Sequence, residues 1–162
     1  GNPNSEKIRN LILNSKSNFN KDTDLLLYMA ARSENINVIK NAYNKKVILI
    51  DRFTDSTIAY QHFGMGVDLN LIKTLNNFLL KNIKVNFTFL NIVNQKNLQN
   101  RLKLRKSLNR YDKFNISFYK KVQKGFIRLS KKQKNKYQLI NSNLEIDKNE
   151  KLILDKIDKL IK

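Results

Sequence analysis

Cysteine is absent from this 162-residue chain, histidine and proline occur once each, and there are only four glycines. Without cysteine there are no disulfides and no thiolate-ligated zinc, and a cytoplasmic location is expected. A single histidine beside 13 carboxylates excludes a multi-histidine metal site. With 41% hydrophobic residues and little glycine or proline, the chain can bury a core and is not of disordered composition. No apolar run approaches the roughly 20 residues that span a bilayer, so no membrane partner is expected. The opening Gly1-Asn2-Pro3-Asn4 has neither the basic start nor the apolar stretch of a secretory signal.

Acid is scarce as well. Lys and Arg total 32 against 13 Asp and Glu, a formal charge of +19. Such an excess is the usual footprint of a nucleic-acid binder. However, 25 of the cations are Lys and only 7 are Arg, alongside 25 Asn. Lys, Asn, Ile, Phe and Tyr share A/T-rich codons, and the lysines are spread along the chain. The spread favours a compositional origin over a dedicated nucleic-acid surface, and no specific nucleic-acid partner is expected. A small basic nucleic-acid-binding protein is the alternative reading.

The length predicts one domain over 1–162. Apolar spacing predicts a short helix over Ser5–Leu13, with Ile8, Leu11 and Ile12 inward. A longer helix is capped by Asp22 and carries Leu25, Met29, Arg32, Ile36, Ile39 and Tyr43 at helical spacing. Arg32 interrupts that apolar stripe. Val47-Ile48-Leu49-Ile50 reads as a strand buried on both faces, ending in Asp51-Arg52. Asp68 caps a further helix. Phe87–Val93 and Tyr137–Ile140 are strand candidates, with helices from Gln95 to Lys106 and after Asn115 between them. A last helix, Ile146–Ile161, is expected to bury Leu152, Ile153, Ile157 and Leu160. Strands alternating with helices predict an α/β fold with a parallel sheet.

Ligands of parallel sheets sit beyond the carboxyl ends of the strands, so Asp51-Arg52 is well placed for function. Arg offers a fork of donors suited to phosphate, and Asp can orient it or hold Mg²⁺. Alone, this dipeptide is equally an ion pair at a strand end. Its surroundings extend the pattern. Asp24-Leu25-Leu26-Leu27-Tyr28-Met29-Ala30-Ala31-Arg32 resembles the Glu-Leu-Leu-Leu-Phe-x-Ala-x-Arg helix of the thymidylate kinase family. Val47 through Asp51-Arg52 to Ala59-Tyr60-Gln61 resembles that family's Asp-Arg-Tyr signature and downstream Ala-Tyr-Gln. Gly1–Leu13, Gly64–Asp68, Leu75-Asn76 and Thr88–Leu90 continue in register, and Leu108-Asn109-Arg110-Tyr111-Asp112 is similar to the lid motif.

The resemblance implies a P-loop nucleoside-monophosphate-kinase-like parallel sheet flanked by helices, with dTMP and ATP as substrates, Mg²⁺ as cofactor, and a homodimer; another nucleoside monophosphate kinase sharing that fold is a further alternative. It implies that Tyr28 stacks on thymine and Arg32 bonds a base carbonyl. Tyr28 and Arg32 are one helical turn apart and share a face. On spacing alone Tyr28 is core packing and Arg32 half of a buried ion pair. Arg52 is implied to hold the dTMP phosphate, with Thr57 and Gln61 near the base and Tyr60 against the sugar. Arg9 lies near the expected phosphate region and reads equally as a solvated helix charge. The lid is implied over about 101–114, and Arg101, Arg105 and Arg110 make it rich in the rarer cation. Phosphoryl transfer needs its charge neutralised. Arg105, Arg110 and Asp51 are therefore the catalytic candidates, and Arg101 is assigned to ATP.

Nowhere in the sequence is there a Gly-x-x-x-x-Gly-Lys-Ser/Thr stretch to cradle ATP phosphates. Gly1 falls inside the family's Glu-Pro-Gly-Gly segment. The expectation is a fragment lacking the first strand, phosphate loop, first helix and second strand, and inactive by itself. His62, Met65, Ile92 and Asn109 depart from the pattern, which expects Gly, a basic residue, Asp and Asp.

Overall fold

A computed structural model describes residues 2–161 of the chain. They divide into two compact units. The first comprises residues up to Lys84 together with Ser107–Ile127, and the second comprises Val85–Lys106 together with residues from Arg128 onward.

The first unit is helical. Asn2 caps α1 (Pro3–Leu13), with the proline at the helix start, where its missing N–H costs nothing. The long helix α2 (Lys21–Ala42) starts on Asn20, whose side chain accepts from the Asp22 and Thr23 amides. The cap is thus Asn20 and not Asp22. Asp22 and Asp24 instead occupy the first turn, where acidic groups favour the helix dipole. A short helix α3 (Thr54–Thr57) runs into a π-helical segment, Ile58–Gly64. Asp68 caps α4 (Leu69–Leu80) by accepting from the Leu71 amide at 2.8 Å. The seventeen-residue α6 (Ile116–Lys132) begins in this unit, with Asn115 accepting from the Phe118 amide.

Two small cores hold these elements. Ile12, Ala59, Tyr111, Phe118 and Val122 form one. Leu25, Met29, Val67 and Ile72 form the other. The π-helical segment and α6 meet through glycine on both sides. A β-carbon on Gly64 would stand 2.5 Å from the Phe118 ring, and one on Gly125 would stand 2.5 Å from the Phe63 ring.

The predicted strand at Val47–Ile50 is not formed. That segment has no regular structure, and Val47 and Leu49 are exposed. A strand needs a neighbour to receive its backbone hydrogen bonds, and among the described residues none pairs with it. Its apolar character reads as buried only if such a neighbour is present.

The second unit contains the whole described sheet, β1 (Thr88–Ile92) parallel to β2 (Tyr137–Asn141). The register pairs Leu90 with Leu139, and Leu90 and Ile140 are buried. The helix between the strands, α5 (Gln95–Lys103), and the closing helix, α7 (Ile146–Ile161), have no fully buried residue. Leu152 and Leu160, expected inward on α7, are exposed. Leu11 of α1 is exposed as well.

Candidate functional site

Five elements of the first unit converge on one polar cluster. On α2, Arg32 is half-buried and engaged through both Nη atoms. Its Nη1 donates to Asn76 Oδ1 at 2.6 Å and faces Met29 Sδ at 3.6 Å. Its Nη2 donates to Thr57 Oγ1 at 2.7 Å and to the Phe53 carbonyl at 3.2 Å. The guanidinium also lies 5.3 Å from the Phe53 ring centre. This explains an arginine within an apolar stripe: it is desolvated, yet neutral acceptors from three elements surround it. Burial pushes its pKa down to about 10, with Asp55 opposing, which leaves it charged at neutral pH.

Arg52 adopts φ +62°, a left-handed conformation that costs an L-residue roughly 1–2 kcal/mol. Non-glycine residues held in this way cluster at functional sites. Its guanidinium is 5.2 Å from the Tyr60 ring centre. Burial pulls its pKa down, but Tyr60, Asp51 and Tyr28 outweigh this and hold it above the ordinary arginine value. Asp51 is exposed beside it.

The aromatic residues sit behind Arg52. Tyr28 and Tyr60 lie edge-on to Tyr111, at 6.1 and 5.6 Å between ring centres. Burial raises the pKa of both Tyr28 and Tyr111 above the usual phenol value, so both keep their protons.

Beneath the rings is a buried polar group that the motifs do not announce. Asp24 is completely buried and ion-paired with Arg110. It also accepts from the Tyr111 hydroxyl and from Gln61 Nε2, the latter at 2.9 Å. Gln61 donates to Tyr111 Oη as well, at 3.0 Å. Gln61 and Thr57 are therefore inside the protein, with protein partners. Neither is the solvated loop residue that its spacing alone suggests. Likewise Arg110 is nine-tenths buried, held by Asp24 and by the Phe19 and Tyr111 rings.

Arg9 is a surface residue 4.0 Å from Glu6, and its charge is felt at Tyr28, whose ionised form it favours. The other two lid arginines belong to the second unit. Arg101 donates to the Ser142 carbonyl at 2.6 Å, and Arg105 is exposed. Arg101 borders a groove of about 720 Å³ with Leu144, Ile146, Ile153 and Leu154 on its walls.

Asn76, Asp24 and Tyr111 stand inside the matched motifs, but the motifs give them no role. Asn76 had a visible signal, being polar on the inward face of α4 beside Ile72 and Leu75. Asp24 opens one of those motifs, yet its burial is not legible there, because a first-turn aspartate normally faces water and the helix dipole.

A mixed α/β chain that sets a left-handed arginine over a tyrosine ring, beside a buried arginine and further tyrosines, has the makings of a nucleotide site. The thymidylate kinase family profile matches residues 1–153. The chain is 34% identical over 158 residues to thymidylate kinase of Wolbachia sp. subsp. Brugia malayi, covering 96% of this chain and 74% of that one. It is 33% identical over 147 residues to thymidylate kinase of Wolbachia pipientis subsp. Culex pipiens, covering 90% and 69%. The crystal structure of thymidylate kinase from Ehrlichia chaffeensis superposes with a TM-score of 0.68 at 29% identity, covering 97% of this chain and 74% of that one. The chain belongs to the thymidylate kinase family.

Proposed function

We propose that this protein phosphorylates dTMP to dTDP at the expense of ATP, with Mg²⁺, in the cytoplasm and as a homodimer. The observation that carries the reading is the pairing of two arginines with opposite environments near one aromatic cluster. Arg32 is buried among neutral acceptors and suits an uncharged base. Arg52 is exposed and suits a phosphate.

The four Nη protons of Arg32 face protein atoms, leaving its Nε–H, with the Asn76 amide, to donate to a thymine carbonyl. The Tyr28 ring offers the base a stacking face, and Tyr60 flanks the sugar. Arg52 makes a charge-assisted contact to the 5′-phosphate, favourable in a partly dry site. Asp51 is the carboxylate available to Mg²⁺. Among the described residues no cluster of three or more acidic or histidine side chains exists. Mg²⁺ commonly takes one or two carboxylates and fills the rest with phosphate oxygens and water. In the second unit, the groove beside Arg101 offers apolar walls and a planar cation to the base of ATP. Arg105 supplies charge to the transferring phosphoryl.

The 162 residues contain no Gly-x-x-x-x-Gly-Lys-Ser/Thr stretch. By themselves they are expected to bind dTMP without turning it over. Association is favoured by Leu26 and Val38 on α2 and Leu71 and Phe78 on α4, all exposed.

Titration of the chain with dTMP, dUMP, dGMP, AMP, UMP and an oligonucleotide tests the reading. Tightest binding is expected for dTMP. Stronger, steeply salt-dependent binding to the oligonucleotide would replace it with the nucleic-acid-binding alternative.

A further inference from the structure

We infer that Asp24 and Arg110 form an internal latch whose task is to hold Tyr111, and through it Tyr28 and Tyr60, in the geometry that binds the acceptor nucleotide. This rests on the dTMP reading above, and it makes Arg110 a positioning residue and not one that meets the transferring phosphoryl.

The argument starts from burial. Asp24 has no exposed surface, and Arg110 is nine-tenths buried. A carboxylate in that position is tolerated only when paired and hydrogen-bonded. Arg110 supplies the counter-charge, and Tyr111 and Gln61 supply the hydrogen bonds. The guanidinium is also gripped between two rings, 5.4 Å from the centre of Phe19 and 5.1 Å from that of Tyr111. The Arg110 amide donates to the Leu13 carbonyl at 3.1 Å. A side chain committed in this way is not free to reach a phosphate.

The direction of the protons then carries the effect to the site. The Tyr111 hydroxyl spends its one proton on Asp24, so toward every other neighbour it is an acceptor. It accepts from Gln61 Nε2. The Tyr28 ring packs edge-on to the Tyr111 ring, 6.1 Å between ring centres. Charge on Asp24 thus fixes the Tyr111 hydroxyl, and with it the ring against which Tyr28 packs. Tyr60 packs edge-on to the same Tyr111 ring and underlies Arg52. One carboxylate consequently orders both rings proposed to contact the nucleotide, without touching it.

The test uses the chain with dTMP as probe and three variants: Arg110→Lys, Asp24→Asn and Tyr111→Phe. Tyr111→Phe removes one hydroxyl and keeps the ring, so it serves if a charge change unfolds the protein. With the latch, Tyr111→Phe weakens dTMP binding about tenfold and shifts the Tyr28 ring resonances in the nucleotide-free protein. Arg110→Lys, which keeps the charge, weakens binding less than Asp24→Asn does. A folded Tyr111→Phe protein with wild-type dTMP affinity and unmoved Tyr28 resonances overturns the latch. Failure of the wild-type chain to bind dTMP overturns the functional reading instead. The latch is then decided by the Tyr28 resonances alone, which need no nucleotide.

Discussion

Arg52 is the residue at which backbone cost and chemistry coincide. Its left-handed conformation is unfavourable in itself, and its guanidinium sits over Tyr60. Arg52→Ala is expected to weaken dTMP binding by about 2–3 kcal/mol, the worth of a hydrogen bond to a charged group at the upper end of the usual range. Isothermal titration with dTMP and with thymidine checks this. The loss should vanish for thymidine, which has no phosphate, and an equal loss for both ligands would remove Arg52 from the phosphate. Arg32 is expected to behave in the opposite way. Arg32→Met leaves Asn76 and Thr57 without their partner, so stability and thymidine affinity should both fall. Buried polar groups left unpaired cost about 1–3 kcal/mol each, and thermal unfolding of the variant measures the stability part.

Among the elements, the crossing of the π-helical segment with α6 tolerates no side chain larger than hydrogen at Gly125. An added β-carbon there would meet Phe63 Cδ2 at 2.5 Å, Cγ at 2.7 Å and Cβ at 2.9 Å. Because Cβ is among the atoms crowded, rotation of the ring does not relieve the contact. Gly125→Ala should therefore destabilise by about 1–3 kcal/mol despite alanine's better helix propensity. A denaturation midpoint at or above wild type would show that the helix can shift outward. The caps make the complementary point. Asn20→Ala removes the acceptor for two amides of α2 and is expected to cost about 1 kcal/mol, whereas Asp22→Ala should cost less, since Asp22 contributes only to the helix dipole.

Across the whole molecule, burial is uneven. α2 carries five buried residues, among them Asp24, Leu25 and Met29, while α5 and α7 have none. Local stability follows buried apolar contact, so hydrogen exchange should be fast in α5 and α7 and slow in the middle of α2. Protection of α7 equal to that of α2 would contradict this. Val47, Leu49 and Ile50 add exposed apolar surface on a segment without strand partners. Leu49→Lys is accordingly expected to lower dye binding and aggregation without loss of secondary structure.

Much was legible in advance because it is local. Helical periodicity located α4 and α6, since a buried face repeats with the helical turn, and it located α7 although that helix buries no residue fully. The two parallel strands were legible from short apolar runs. The Asp51-Arg52 and Ala59-Tyr60-Gln61 motifs marked the family. Tertiary structure decided the rest. Whether Val47–Ile50 is a strand depends on a hydrogen-bonding neighbour, which no local run of residues can supply. Which arginine faces a ligand depends on where acids and rings lie: Arg110 and Arg105 read alike in sequence, yet one is locked against Asp24. Asp24, unremarkable as a first-turn carboxylate, became the centre of a buried network only once Arg110, Tyr111 and Gln61 were folded around it. Spacing along the chain reports faces and periods, whereas charge pairing and burial depend on distances between residues far apart in sequence.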